Sequence, residues 1–148
     1  MAGMEGLGRI YNVVPIAAGV GISLKHCSGI TFVCTNSAIN AVFTVTVAPT
    51  FAGTYVAPTS SGGIISHYYQ STSQNGSTGF TKVSQTAANA VTQATSGDTT
   101  VIEIFGSMLP DPNAYIKLSN SGGAGLVQAI LHDLTYQRGP ANLVAPGA

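Results

Sequence analysis

Apolar and polar positions alternate with a period of two in several short stretches, each bounded by Gly, Pro, Asn, Ser or Thr, which is the pattern of strands with one buried face. Residues 41–47 show it most cleanly: Phe43, Val45 and Val47 share one face, Thr44 and Thr46 the other, and Pro49 stops the run. Residues 99–105 alternate Val101, Glu103 and Phe105 against Thr100, Ile102 and Ile104 after a Gly97-Asp98 turn, and read as a central strand. Residues 21–26 and 30–35 flank Ser28-Gly29 and read as a hairpin. A further extended run, 114–118, follows a loop over 108–113 in which Pro110 and Pro112 withhold their N–H groups.

Two segments fit more than one period. Residues 126–136 form the longest apolar run, with Leu126, Ile130, Leu134 and Tyr136 on one face of a strand and Val127, Ala129 and Leu131 on the other. The fourfold spacing of Leu126, Ile130 and Leu134 also suits a helix; a strand buried on both sides is preferred. Residues 85–94 (QTAANAVTQA) hold helix-favouring Ala beside strand-favouring Thr, leaving one short helix open there. Residues 57–79, rich in Ser, Thr, Gly and Gln, read as a long surface excursion interrupted at 64–69.

These elements predict a mainly β fold, an antiparallel β-sandwich or small jelly-roll-like barrel, with extended N- and C-terminal arms. The expected division is an arm over 1–12, a domain over 13–138 and a tail over 139–148. The first arm holds Gly3, Gly6 and Gly8 without a period, and Arg9, Ile10 and Tyr11 are its candidate partner contacts. In the tail, Pro140 limits the entropy lost on docking, Leu143 can fill a groove, and Arg138 offers a forked donor, so Arg138, Pro140, Asn142 and Leu143 are candidate contacts too.

Composition sharpens this. A chain of 148 residues suits one domain with a core that needs no staples. Charged residues are only 7%, the formal charge is zero and 45% of residues are hydrophobic, which excludes disorder and removes the repulsion that keeps copies apart. The five cations, Arg9, Lys25, Lys82, Lys117 and Arg138, are scattered, which argues against nucleic acid as a partner. The apolar stretch at 13–24 is broken by Pro15, Gly19 and Gly21 and ends at Lys25, too short to span a bilayer, and no secretory signal pattern precedes it. Synthesis in the cytoplasm, without a membrane partner, is therefore expected.

The chemistry-bearing residues are few. Cys27 and Cys34 lie more than about 20 Å apart on an extended chain, which disfavours a disulfide, and with His26 alone nearby they lack the spacing of a zinc site. Two buried free thiols are expected. His132 and Asp133 are adjacent, so on a strand they point to opposite faces and cannot act as base and orienting acid. Glu103 is the one acid in an apolar strand, where a solvent-facing or interface position is the preferred reading. Gly19-Val20-Gly21 and 122–125 match neither a P-loop nor a dinucleotide fingerprint, and Asn75-Gly76-Ser77 reads as a tight turn. No catalytic residue, metal or cofactor is assigned. His67-Tyr68-Tyr69 remains as an aromatic cluster, with Tyr68 and Tyr69 as candidates for stacking on a sugar or anchoring a protein; one core and one surface tyrosine is the plainer reading.

The alternating Phe43–Val47 strand, the Thr- and Gly-rich middle, the Val101–Phe105 strand, Leu109-Pro110-Asp111 and the closing run from Asp133 to Leu143 (DLTYQRGPANL) together resemble small virion proteins of tailed phages, especially those infecting actinobacteria. The family is that of capsid decoration or minor capsid proteins, and the resemblance covers about residues 40–143. It implies a β domain on the outer surface of the head, often trimeric, that binds the major capsid protein of its own virion and cements the shell, after assembly in the host cytoplasm. Two other roles compete: a carbohydrate- or receptor-binding module of a head fibre or tail tip using Tyr68 and Tyr69, and a tail-tube or connector subunit.

Overall fold

The computed structural model describes residues 11–16, 19–36, 40–59, 62–73, 76–93, 97–110, 115–121 and 125–134. Among these residues ten strands form two antiparallel sheets packed face to face as a sandwich: β1 (Tyr11–Ile16), β2 (Gly21–Ser23), β3 (Gly29–Asn36), β4 (Ala41–Ala48), β5 (Ile65–Ser71), β6 (Thr81–Ala88), β7 (Ala90–Gln93), β8 (Thr99–Phe105), β9 (Tyr115–Ser121) and β10 (Gly125–His132). One sheet has the order β1-β10-β3-β8-β5-β6 and the other β2-β9-β4-β7. The only helical segment among the described residues is a 3-10 turn, Gly106–Met108.

Period-two patterning explains the layers. In the larger sheet, registered rows run Leu131-Ile30-Ile104, Ala129-Phe32-Ile102 and Val127-Cys34-Thr100, all buried. Phe32 therefore has small Ala129 on one side and Ile102 on the other, the large-small alternation that fills a core without voids. Phe43, Val45 and Val47 of β4, Ile116 and Leu118 of β9, Ile22 of β2 and Val91 of β7 meet them from the second sheet. β8 is central, between β3 and β5.

Four expectations need correction. Residues 21–35 are not a hairpin: β2 stops at Ser23 and belongs to the smaller sheet, whereas β3 belongs to the larger. The chain crosses between layers through a turn at Leu24–Cys27, where the Cys27 N–H meets the Leu24 carbonyl at 3.3 Å and His26 takes φ 70°. Buried Leu24 anchors that crossing. Residues 57–79 are not one long surface excursion: the interruption expected at 64–69 is β5, Ile65–Ser71, which lies inside the larger sheet, between β8 and β6.

Of the segment left open to a helix, the described residues 85–93 contain none; β6 runs into β7 through Asn89, passing from one sheet to the other. Side chains take over the backbone bonds of this corner: Gln85 Nε2 donates to the carbonyls of Ile65 (3.0 Å) and Ala90 (3.1 Å), and Asn89 Oδ1 accepts from the Ile64 N–H at 3.3 Å. Gly63 is required beside it, because a Cβ there would collide with the Ala88 backbone. Finally, β10 is a strand as preferred, but only its Val127, Ala129 and Leu131 face is core; Leu126 is 77% exposed. β1, the edge strand of the larger sheet, runs from Tyr11 to Ile16.

Candidate functional site

Tyr68 and Tyr69 are split by the pleat of β5. Tyr68 points inward and is 8% exposed within the core, where burial raises its phenol above the ordinary range. Tyr69 points outward at 37% exposure, with the His67 ring edge-on at 6.0 Å. The pair is thus one core ring and one surface ring, and no two-tyrosine platform exists. Of the other candidate contacts, Arg9, Ile10, Arg138, Pro140, Asn142 and Leu143 lie outside the described residues, and Tyr11 is described only as the backbone partner of His132 at the β1 edge.

A second aromatic group, which the sequence reading missed, lies on the outer face of the smaller sheet. Pairing places Gly21 beside Lys117, and Ser23 and Ala48 on either side of Tyr115. After β4 the chain turns back at Thr50–Gly53, closed by a Gly53 N–H to Thr50 carbonyl bond of 3.0 Å, and Val56 then pairs with Val47 through two bonds of 2.9 Å. That return carries Phe51 to within 6.0 Å of Tyr115, the rings inclined at 60°. Tyr55 Oη donates to the Phe51 carbonyl at 3.2 Å, and the Lys117 ammonium sits 4.0 Å from the Tyr55 ring centre. Tyr55 can lie over the sheet only because residue 21 is glycine: a Cβ there would strike its hydroxyl. Burial, and then the charge of Tyr115, raise the Tyr55 phenol. Phe51 stays 47% exposed. No sequence motif unites these residues, since the loop and β9 are some sixty positions apart and only the β4–β9 register joins them.

Hydroxyl, imidazole and carboxylate groups meet at one end of the larger sheet, but not as a relay. β10 ends at His132, and Asp133 turns away with φ 48°. Ser28 Oγ donates to Asp133 Oδ2 at 2.5 Å, while His132 Nε2 pairs with Thr31 Oγ1 at 2.6 Å. The serine is joined to the acid and the histidine to a different hydroxyl, so serine, imidazole and carboxylate do not line up as a triad. These bonds fasten the strand end, together with the Ser28 N–H to His132 carbonyl bond of 3.0 Å and the Gly106 N–H to Ser28 carbonyl bond of 2.7 Å. Glu103 is exposed on the outer face of β8.

Cys34 is fully buried and Cys27 half-buried, both as free thiols. No cluster of three or more His, Cys, Asp or Glu side chains suited to a metal occurs among the described residues, and no helix among them is long and apolar enough to cross a membrane. No protein-family model, curated protein or solved structure matches this chain.

Proposed function

We propose that this protein is a structural component of a tailed-phage virion, a capsid decoration protein that binds the outside of the head as a homo-oligomer and stabilises the shell. The observation that carries the reading is the surface. On a sandwich with a formal charge of zero, Phe51 stands exposed on the outer side of the smaller sheet, and Tyr69, Phe105 and Leu126 on that of the larger. Large apolar groups on two opposite outer faces, with little charge to keep copies apart, favour life in an assembly over free diffusion. The resemblance supplies the kind of assembly: a trimer on the major capsid protein, with several weak contacts per oligomer adding to firm attachment.

The test is co-sedimentation of purified protein with heads of the encoding phage that lack it. Saturable binding, with heads that then withstand a higher temperature, is the expected result. Protein that stays in the supernatant at micromolar concentration, and sediments alone as a monomer, overturns the reading. The competing use of Tyr68 and Tyr69 as a joint sugar platform has lost its support, because Tyr68 lies in the core.

A further inference from the structure

We infer that the Phe51, Tyr55, Tyr115 and Lys117 group on the outer face of the smaller sheet is a saccharide-binding site, which takes one pyranose ring of a surface polysaccharide by stacking. The inference is independent of where in a virion, or whether in one, the protein resides.

Three observations point to a ligand with one apolar face and a polar rim. First, Phe51 and Tyr115 stand 6.0 Å apart and tilted at 60°, forming an open angle whose exposed wall is Phe51. The C–H face of a pyranose is the apolar surface that fits such a wall, while its hydroxyls need donors at the edge. Second, a donor stands at that edge: the Lys117 ammonium sits 4.0 Å from the Tyr55 ring centre, which holds the charge beside the aromatic wall, where a ring oxygen or an exocyclic one can accept from it. Third, the arrangement is braced rather than incidental. Tyr55 fits only against Gly21, is tied to the Phe51 carbonyl, and the loop that bears both rings is pinned by the Val47–Val56 bridge. A pre-set platform loses little freedom on binding, which is what lets one stacked ring be held at all.

The occupant is a saccharide rather than a peptide or a second copy because the neighbouring strands present short hydroxyls. Ser23, whose Oγ accepts from the Lys25 N–H and keeps its own O–H to give, flanks Tyr115 across the sheet, and Ser119, whose Oγ donates to the Thr44 carbonyl and can still accept, follows Lys117 along β9. Polar groups of this kind beside an aromatic wall suit a chain of sugars lying along β9, whose rings offer an apolar C–H face and hydroxyls at the rim.

The test uses the full chain on an array of bacterial surface polysaccharides that also carries hexasaccharides of glucose, of N-acetylglucosamine and of a uronic acid, with titration calorimetry on any hit. Binding of at least one is expected. Phe51→Ala and Tyr115→Ala should each weaken it ten-fold or more, Phe51→Tyr should keep it within about three-fold, and thermal unfolding should confirm that each variant folds. Lys117→Gln separates the two sugar types: loss confined to the uronic acid assigns the ammonium to a carboxylate, and equal loss on all assigns it to hydroxyls; both outcomes support the site. No binding to any probe, or Phe51→Ala and Tyr115→Ala binding as the parent does, overturns it. So does a parent that binds no probe while Phe51→Ala breaks the oligomer or its attachment to heads, which would make the group a protein contact. Loss of head binding with retained sugar binding would instead remove only the virion proposal.

Discussion

Burial sets the chemistry of the two thiols. Cys34 lies at the centre of the row Val127-Cys34-Thr100, with no solvent contact, and desolvation pushes its pKa far above the ordinary thiol range. Cys27, in the turn between layers, is pushed up to about 11, desolvation outweighing a backbone hydrogen bond to Gly29. A raised folded pKa means that the unfolded chain gives up its protons first. The contribution to stability is therefore whole below pH 9 and falls as pH climbs from 9 toward 11 and beyond. For the buried Cys34 the slope approaches about 1.4 kcal/mol per pH unit. Urea midpoints measured from pH 8 to 10.5 should decline, and Cys34→Ala should flatten the decline; a midpoint that rises with pH contradicts the burial of this thiol. At pH 8 a thiol reagent should modify Cys27 slowly and Cys34 only after unfolding. Phe32, closed in by Ala129 and Ile102, sets the packing counterpart: Phe32→Ala should cost about 3–5 kcal/mol in the same assay.

Among the elements, β10 tests how strictly the pleat divides inside from outside. Leu126→Asp replaces a side chain that is 77% exposed and should change stability by no more than about 0.5 kcal/mol, whereas Val127→Asp, one residue on, places a carboxylate in the core and should prevent folding at 37 °C. Circular dichroism and thermal melts on the two variants check this; equal effects would mean that the strand slips by a residue. At the β6–β7 corner, Gln85→Ala leaves the Ile65 and Ala90 carbonyls short of a donor and should cost about 1–3 kcal/mol, whereas Gln85→Glu keeps the length but removes the donor and should cost as much. The contrast shows what sequence alone could reach. Strands with a clean alternation, β4 and β8, were legible in position, face and even centrality, because one buried face writes itself into every second residue. The doubtful pieces were those whose conformation is held from elsewhere: 85–94 stays open between helix and strand until Gln85 is seen bonding to Ile65 and Ala90 and Asn89 to Ile64, and Ser28-Gly29 reads as a hairpin because nothing local says that Leu24 belongs under the other sheet. The aromatic group failed to show for the same reason, since Phe51 and Tyr115 meet only through the pairing of β4 with β9.

At the scale of the whole molecule, the scarcity of charge decides which forces the proposed self-association could use. With five cations and five anions in 148 residues, neither a strong repulsion between copies nor a dense set of ion pairs across an interface can form, and contacts made by Phe105, Tyr69 or Leu126 would be driven by removal of apolar surface from water. Salt then acts in a way that separates the two mechanisms. Raising sodium chloride from 0.05 to 1 M shortens the screening length from about 14 to about 3 Å and would dissolve an assembly held by ion pairs, but should leave the proposed oligomer within about two-fold in dissociation constant. Sodium sulfate at the same ionic strength, excluded from apolar surface, should tighten it. Sedimentation velocity across both series, repeated with Leu126→Glu and Tyr69→Glu, gives the reading: chloride indifference, tightening by sulfate, and loss of self-association in at least one variant without change in melting temperature. Dissociation by chloride would instead assign the interface to the few charges, Lys82 and Glu103 among them, and remove the exposed apolar faces as its cause.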